Sequence, residues 1–289
     1  MMRSVLFLAT NLAVVLTFGV FLNIILPALG IQTGNMMGLL IFCMLFGVGG
    51  SFISLMLSKK MALMSVGGKV INTPQNSEER WLINTIARLA KQAGLPMPEV
   101  ALYQSPDINA FATGSSKDKS LVAVSTGLLH SMNQDEREAV LAHELSHIAN
   151  GDMVTMALVQ GVLNTFVMFF ARIVAEIISN SVRNNSQSGE GLGFLARMGI
   201  IFVMEMVFGL IASIIAMWFS RQREYRADAG AGCLVGKEKM IAALQRLKQS
   251  QPSHLEGQLT AFGIIGRPRD LLSSHPSLDD RIRALQSPS

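Results

Sequence analysis

The sequence predicts a mainly α-helical membrane protein with a small α+β unit outside the bilayer. Three observations predict it. Half of the 289 residues are apolar and only 15% are charged, where a soluble domain carries roughly 25% charged residues. No Asp, Glu, Lys or Arg occurs between Arg3 and Lys59. Two further apolar stretches, Met153–Ala171 and Phe194–Ser220, follow a segment of mixed polarity that carries both helix and strand signals.

A membrane helix needs about 20 apolar residues, so the uncharged N-terminal stretch holds two, Val5–Leu29 and Met36–Leu57, with Gly30, Gly34 and Asn35 forming the turn. A cleaved signal peptide is the rival reading. Its apolar core would run about 7–15 residues and end at small residues, whereas this run is longer and a second span follows at once. Segments 1–58 and 153–220 are therefore read as two apolar helical hairpins, four transmembrane helices in all. The second hairpin is the weaker of the two, and a buried or interfacial hairpin is its alternative. Asn180–Gly193, rich in Asn, Ser and Gly, is the loop inside it. Glu205 would be costly facing lipid, by about 2.5–3.5 kcal/mol, so it faces the bundle or water. Arg172 and Glu176, four apart, can pair along the third helix.

Segments 59–152 and 221–289 are the polar parts. In the first, Ser77 caps a helix whose first turn holds Glu78 and Glu79, and Gly94 then Pro96 stop it. Glu99–Gln104, Ile108–Thr113 and Leu121–Ser125 read as short strands separated by Pro, Gly and Ser. Asn133, with Glu136 three residues on, starts a helix through Ala139–His147 that stops near Asn150-Gly151.

Basic residues set the orientation. Lys59, Lys60 and Lys69 follow the second span, and Arg221, Arg223 and Arg226 follow the fourth. The Gly30–Asn35 turn has none, and the 180–194 loop only Arg183. Both polar segments and both termini therefore face the cytoplasm. The net charge of +4 is modest, no run of five like charges exists, and basic residues do not alternate with aromatics, which argues against nucleic acid as a partner. Cys43 and Cys233 lie far apart. They read as small buried residues in a reducing compartment, not as a disulfide framework.

His143-Glu144-Leu145-Ser146-His147 is an H-E-x-x-H pattern. On a helix, residues four apart share a face, so both imidazoles reach one ion and Glu144 sits beside them to handle a water. Zinc in a hydrolytic site needs a third protein ligand. The extended pattern with a third histidine is excluded, because Asn150 and Met153 stand at its glycine and histidine positions. A glutamate on a later helix is the other solution. Glu224 is the natural candidate, with Glu238 and Asp228 as alternatives. Asp228, one turn on, can accept the Nδ1 hydrogen of a ligating histidine and fix its orientation. Taken alone, Glu224–Asp228 reads equally as a solvated helix face. His130 and His254 have no motif around them and read as structural or exposed.

At these residues the chain resembles the HtpX family of membrane-bound zinc endopeptidases, related to the CAAX prenyl-protein endopeptidase of eukaryotes. The match runs over the whole length: two N-terminal spans, Asn109-Ala110-Phe111-Ala112, His143–His147, two apolar segments, Glu224–Asp228, and His275-Pro276 followed by Arg281-Ile282. The resemblance implies a zincin-like α+β catalytic domain with a short β-sheet beside the zinc helix. One Zn2+ ion per chain would be held by His143, His147 and Glu224, with Glu144 as base. It also implies a bacterial inner membrane, an active site facing the cytoplasm, and protein or peptide substrates. Those substrates would be damaged or misfolded membrane proteins, degraded as quality control under stress. Asn109 would lie on the edge strand over the cleft, where substrate adds as an extended strand, or else be a loop Asn in a turn. His275 would help stabilise the oxyanion and Arg281 would brace it or the cleft, although His275 reads equally as a surface residue before a proline. Two rivals stand beside this reading. One is a membrane scaffold with structural zinc, against which Glu144 argues because a structural site needs no base. The other is a processing protease acting on one modified substrate.

Overall fold

The computed structural model describes residues 36–185, 191–250 and 275–287. The first expected span, Val5–Leu29, lies outside the described residues, as does His254. Among the described residues, three helices are long and apolar enough to cross a membrane: α1 (Met36–Val66), α5 (Asp152–Asn185) and α6 (Phe194–Val235). Between α1 and α5 come β1 (Lys69–Val70), α2 (Ser77–Gln92), β2 (Glu99–Tyr103), β3 (Ala110–Gly114), β4 (Ser120–Ser125), α3 (Thr126–Ser131) and α4 (Gln134–Asn150). After α6 come α7 (Lys237–Ser250) and α8 (Leu278–Gln286). The chain divides into two compact units. One is built from residues up to Gly50 and from Gln160–Ala212, the other from Ser51–Val159 and from Ser213 onward.

In the second unit the strands form one mixed sheet of order β1-β2-β4-β3. Strands β2 and β4 run parallel, with Val100 opposite Val122, and β3 returns antiparallel to β4, with Ala112 opposite Val122. Every residue of β4 is buried, as a central strand covered on both faces requires. Successive side chains alternate between faces. Val122 and Val124 join the main core with Leu82, Ile86 and Leu89 of α2, Leu141 and Leu145 of α4, and Met240 and Leu244 of α7. Leu121 and Ala123 pack on the other face with Tyr103, Phe111, Leu63 and Val66. Strand β3 is an edge of the sheet and packs against α4.

The first unit is held by close approach and by ion pairs. A Cβ on Gly47 of α1 would stand 2.3 Å from Thr165 Oγ1 and 2.8 Å from the Gly161 carbonyl of α5. Only glycine lets the two backbones come that near, the usual device for packing helices in lipid. Ala171 and Ala175 of α5 lie buried against Ile201 of α6. Arg172 donates to Glu205 Oε1 at 2.7 Å and to the Met168 carbonyl at 2.8 Å, with both charged groups buried.

Several expectations need correction. Arg172 pairs with Glu205 on α6, not with Glu176 along its own helix, and Glu176 instead meets Arg197 at 2.7 Å. Asn76, not Ser77, caps α2, its side chain accepting from the Glu79 amide. The segment expected as a loop from Asn180 is helical to Asn185. Cys233 is exposed, while Cys43 is buried as expected. The strands stand within two residues of their expected bounds. The two-residue β1 and the short α3 carry too little periodicity to be read from sequence.

Candidate metal centre

Local sequence builds the helix that carries the motif. Asn133 Oδ1 accepts the Glu136 amide at 3.0 Å while Glu136 Oε2 accepts the Asn133 amide at 2.9 Å. This reciprocal box satisfies two amides that helix geometry leaves unpaired. Helix α4 then runs buried from Ala139 through Ser146 and ends at Gly151, whose φ of 69° is the left-handed cap that glycine adopts without strain.

His143 and His147, one turn apart, bring their Nε2 atoms to 3.1 Å of each other. Glu224 arrives from α6, 2% exposed, with Oε2 3.5 Å from His143 Nε2 and Oε1 3.4 Å from His147 Nε2. Ligand atoms of these three residues all lie within 4.8 Å of one another, the one such group among the described residues. Each imidazole is engaged from behind. Asp228 Oδ1 stands 2.9 Å from His143 Nδ1, and Asp152 Oδ2 stands 2.6 Å from His147 Nδ1. Each Nδ1 faces a carboxylate, and the two Nε2 atoms face each other and Glu224. That arrangement repels itself unless a cation sits in it, so the donor set fits a metal ion.

Electrostatics reinforce the same point. Burial pulls the His147 imidazole down, but the Asp152 and Glu224 carboxylates outweigh it and leave its pKa at about 9. His143 is likewise pulled down by burial and pushed up further by Asp228 and Glu224. Burial opposes ionisation of Glu224 and Asp228. The surrounding imidazoles, and for Asp228 the Arg281 guanidinium, hold both carboxyls below the usual range.

The remaining expected residues are placed as follows. Glu144 is buried on α4, and no hydrogen bond among the described residues ties down its carboxylate. Arg281 of α8 is buried and grips Asp228 with a two-pronged fork, Nη2 to Oδ1 at 2.6 Å and Nε to Oδ2 at 2.7 Å. His275 Nδ1 stands 2.9 Å from Glu224 Oε2, with the ring largely exposed. Asn109 does not lie within the edge strand but immediately precedes it. Its carbonyl accepts the Ser125 amide at 2.9 Å, and its own amide donates to Ser125 Oγ. Thus Glu224, Asp228, His275 and Arg281 gather around the two histidines, whereas Asn109 sits at the head of β3.

The comparisons with known proteins agree with this centre. The model of peptidase family M48 matches residues 76–289. The chain belongs to peptidase family M48. This M48 peptidase is 58% identical over 289 residues to Protease HtpX of Vibrio cholerae serotype O1, strain M66-2, covering 99% of this chain and 100% of that one. Protease HtpX of Vibrio parahaemolyticus serotype O3:K6 is 59% identical with the same coverage, and that of Aliivibrio fischeri strain ATCC 700601 / ES114 is 57% identical, covering 99% of both chains. The resemblance to the HtpX family is borne out. Among solved structures, the crystal structure of S. mikatae Ste24p is similar, with a TM-score of 0.59 and 19% identity. The match covers 96% of this chain and 65% of that one, and it supports the fold alone. The M48 peptidase is thus a membrane metalloprotease, and the His143, His147 and Glu224 cluster is its metal-competent group. Sequence reading missed Asp152. The signal was an acid just past the glycine stop of the histidine helix, the last residue of segment 59–152 before the apolar run from Met153.

Proposed function

We propose that this M48 peptidase is a zinc-dependent endopeptidase of a bacterial inner membrane, cleaving damaged or misfolded membrane proteins on the cytoplasmic side. The observation that carries the chemistry is the convergence of both Nε2 atoms on Glu224, with Glu144 beside them. Two imidazoles and one carboxylate are the ligand set of a hydrolytic zinc site with one open position. Zinc, when bound by His143, His147 and Glu224, supplies Lewis acidity that acidifies water and polarises a carbonyl.

The chain's own groups do the rest. Glu144 takes a proton from the attacking water on its carboxylate and delivers it to the leaving amine nitrogen. Strand β3 is paired with β4 on one side only, and an extended peptide adds along its other edge, with Asn109 at the head of that edge. His275, at the exposed rim beside Glu224, stabilises the negative oxygen of the tetrahedral intermediate. Arg281 is a positioning residue in this reading, since its fork holds the carboxylate that holds His143. Segments 1–58 and 153–220 are the membrane hairpins, and 59–152 and 221–289 the cytoplasmic segments that share the zinc site. The quality-control role rests on the resemblance to the HtpX family.

The test is a pair of variants of the full chain. Glu144→Gln keeps near-stoichiometric zinc and loses proteolysis, and it serves as a substrate trap. Glu224→Ala loses both. Zinc content by mass spectrometry and a peptide-cleavage assay check this. Activity retained in Glu144→Gln, or full zinc occupancy in Glu224→Ala, overturns the assignment.

A further inference from the structure

From sequence, one carboxylate, Asp228, is available to support a ligating histidine, and the other histidine has none. In the fold, the partner of His147 comes from the residue that opens α5. Asp152 is 1% exposed, and its Oδ2 lies 2.6 Å from His147 Nδ1. On an unbroken helix a residue five positions on would sit about 140° around the axis, on another face. The break at Gly151, where the chain turns through φ of 69° while the Gly151 amide caps the His147 and Ile148 carbonyls, brings Asp152 back over the ring it follows. The two imidazoles are therefore buttressed from different elements, His143 by Asp228 of α6 and His147 by Asp152 of α5.

Asp152 also meets the segment that bears Glu224. Its carbonyl accepts from Arg223 Nη1 at 3.5 Å, and its Oδ1 lies 3.6 Å from Arg226 Nη2. No hydrogen bond reaches Oδ1, so the hydrogen-bonding work of this buried carboxylate is directed at His147. A carboxylate that accepts the Nδ1 hydrogen leaves the Nε2 lone pair for a metal and fixes the plane of the ring.

We propose that Asp152 is a positioning residue of the metal centre: it fixes the tautomer and ring orientation of His147 and ties the start of α5 to the Glu224 segment through Arg223 and Arg226. The inference rests on the reading of His143, His147 and Glu224 as metal ligands. Asp152 touches no substrate and acts through His147.

The experiment measures zinc affinity of the full-length chain in detergent by competition with a chromophoric chelator, alongside peptide cleavage at saturating zinc. Asp152→Ala is expected to weaken zinc binding tenfold to a hundredfold, the usual cost of removing such a partner. Asp152→Asn, which keeps an acceptor for the Nδ1 hydrogen, is expected to recover most of that loss. An Asp152→Ala chain within twofold of the parent overturns the proposal. So does an Asn variant as weak as the Ala variant, which would indicate a charge serving only the helix start. The metal-centre reading fails separately, if the parent binds zinc no better than a His143→Ala/His147→Ala chain.

Discussion

The charges around the two histidines decide how the centre responds to pH. Glu144, Asp152, Glu224 and Asp228 are all buried here; Arg281 is the buried guanidinium among them, and the exposed Arg226 reaches Asp152 from outside. Asp152, Glu224 and Asp228 all face the two imidazoles, a setting that favours positive charge there, as protons on the rings or as a divalent metal. This is why burial, which lowers a histidine pKa, loses to the carboxylates at His147, whose pKa stands at about 9 against an ordinary 6.5. A group raised in the folded state contributes stability that is complete below pH 6.5 and is lost as pH rises through 9. Metal-free protein should therefore unfold at progressively lower temperature between those values. Zinc binding runs the opposite way, because it must displace the same protons. Zinc affinity should rise across pH 6.5–9 and level off above it, and titrations in two buffers of different ionisation heat should show proton release. A zinc affinity that does not change between pH 7 and 9 would sink the account. Of these residues, the H-E-x-x-H pair and Glu144 were legible because a helix fixes their spacing. Glu224 and Asp228 were legible as candidates once a third ligand was required. Asp152 was not, since its contact depends on a glycine turn whose direction no periodicity reports.

At the scale of elements, α6 brings Glu224 to the two histidines. It has 42 residues, roughly 60 Å at 1.5 Å per residue, about twice the ~30 Å hydrocarbon thickness of a bilayer. The apolar run Phe194–Ser220 was plain in the sequence. That the helix continues unbroken to Val235 was not, although the first turn-former acting as one is Gly236, at φ of 98°. Its last turns can lie against α4 because their inner face is small. Ala227 and Ala231 are fully buried, and a Cβ on Gly230 would stand 2.7 Å from Ser146 Oγ and 3.0 Å from Ser146 Cβ. Ser146 is itself engaged, donating to the Ala142 carbonyl at 2.7 Å. Gly230→Val should therefore push α6 off α4, at a cost of about 1–3 kcal/mol for overpacking, and draw Glu224 away from the histidines. Lower thermal stability and weaker zinc binding should appear together. A Gly230→Val chain that matches the parent in both measurements would show that this contact does not set the position of Glu224. The correction at Arg172 has the same origin. Sequence spacing offers a partner along one helix, but a buried charge takes the partner that the neighbouring helix supplies.

For the whole molecule, the arrangement of apolar residues marks the surfaces that meet lipid, and the arrangement of basic residues is the basis of the proposed orientation. Large apolar side chains are exposed along all three long helices, among them Leu45, Phe52 and Ile53 of α1, Leu158 and Phe166 of α5, and Leu210, Ile211 and Trp218 of α6. Apolar bands of that extent are not left facing water by a monomeric soluble protein. In lipid they need no cover, and the charges that remain there must be paired, as Arg172 and Glu205 are. Orientation then follows from the basic residues beside the spans. Lys59, Lys60, Arg221, Arg223 and Arg226 lie in the parts of α1 and α6 that lead to the metal centre, against Arg183 near the end of α5 and Arg197 at the start of α6. That bias is what the proposed cytoplasmic placement rests on. The native Cys233 is exposed and Cys43 buried, which supplies a built-in reporter. In spheroplasts, Cys233 should resist a membrane-impermeant thiol reagent and become labelled only after the membrane is permeabilised. A cysteine at the exposed position of Asn184, introduced in a Cys233→Ser background, should label without permeabilisation. The reverse pattern would overturn the cytoplasmic placement of the metal centre. Protection of both positions until permeabilisation would mean that α5 and α6 enter the bilayer without crossing it.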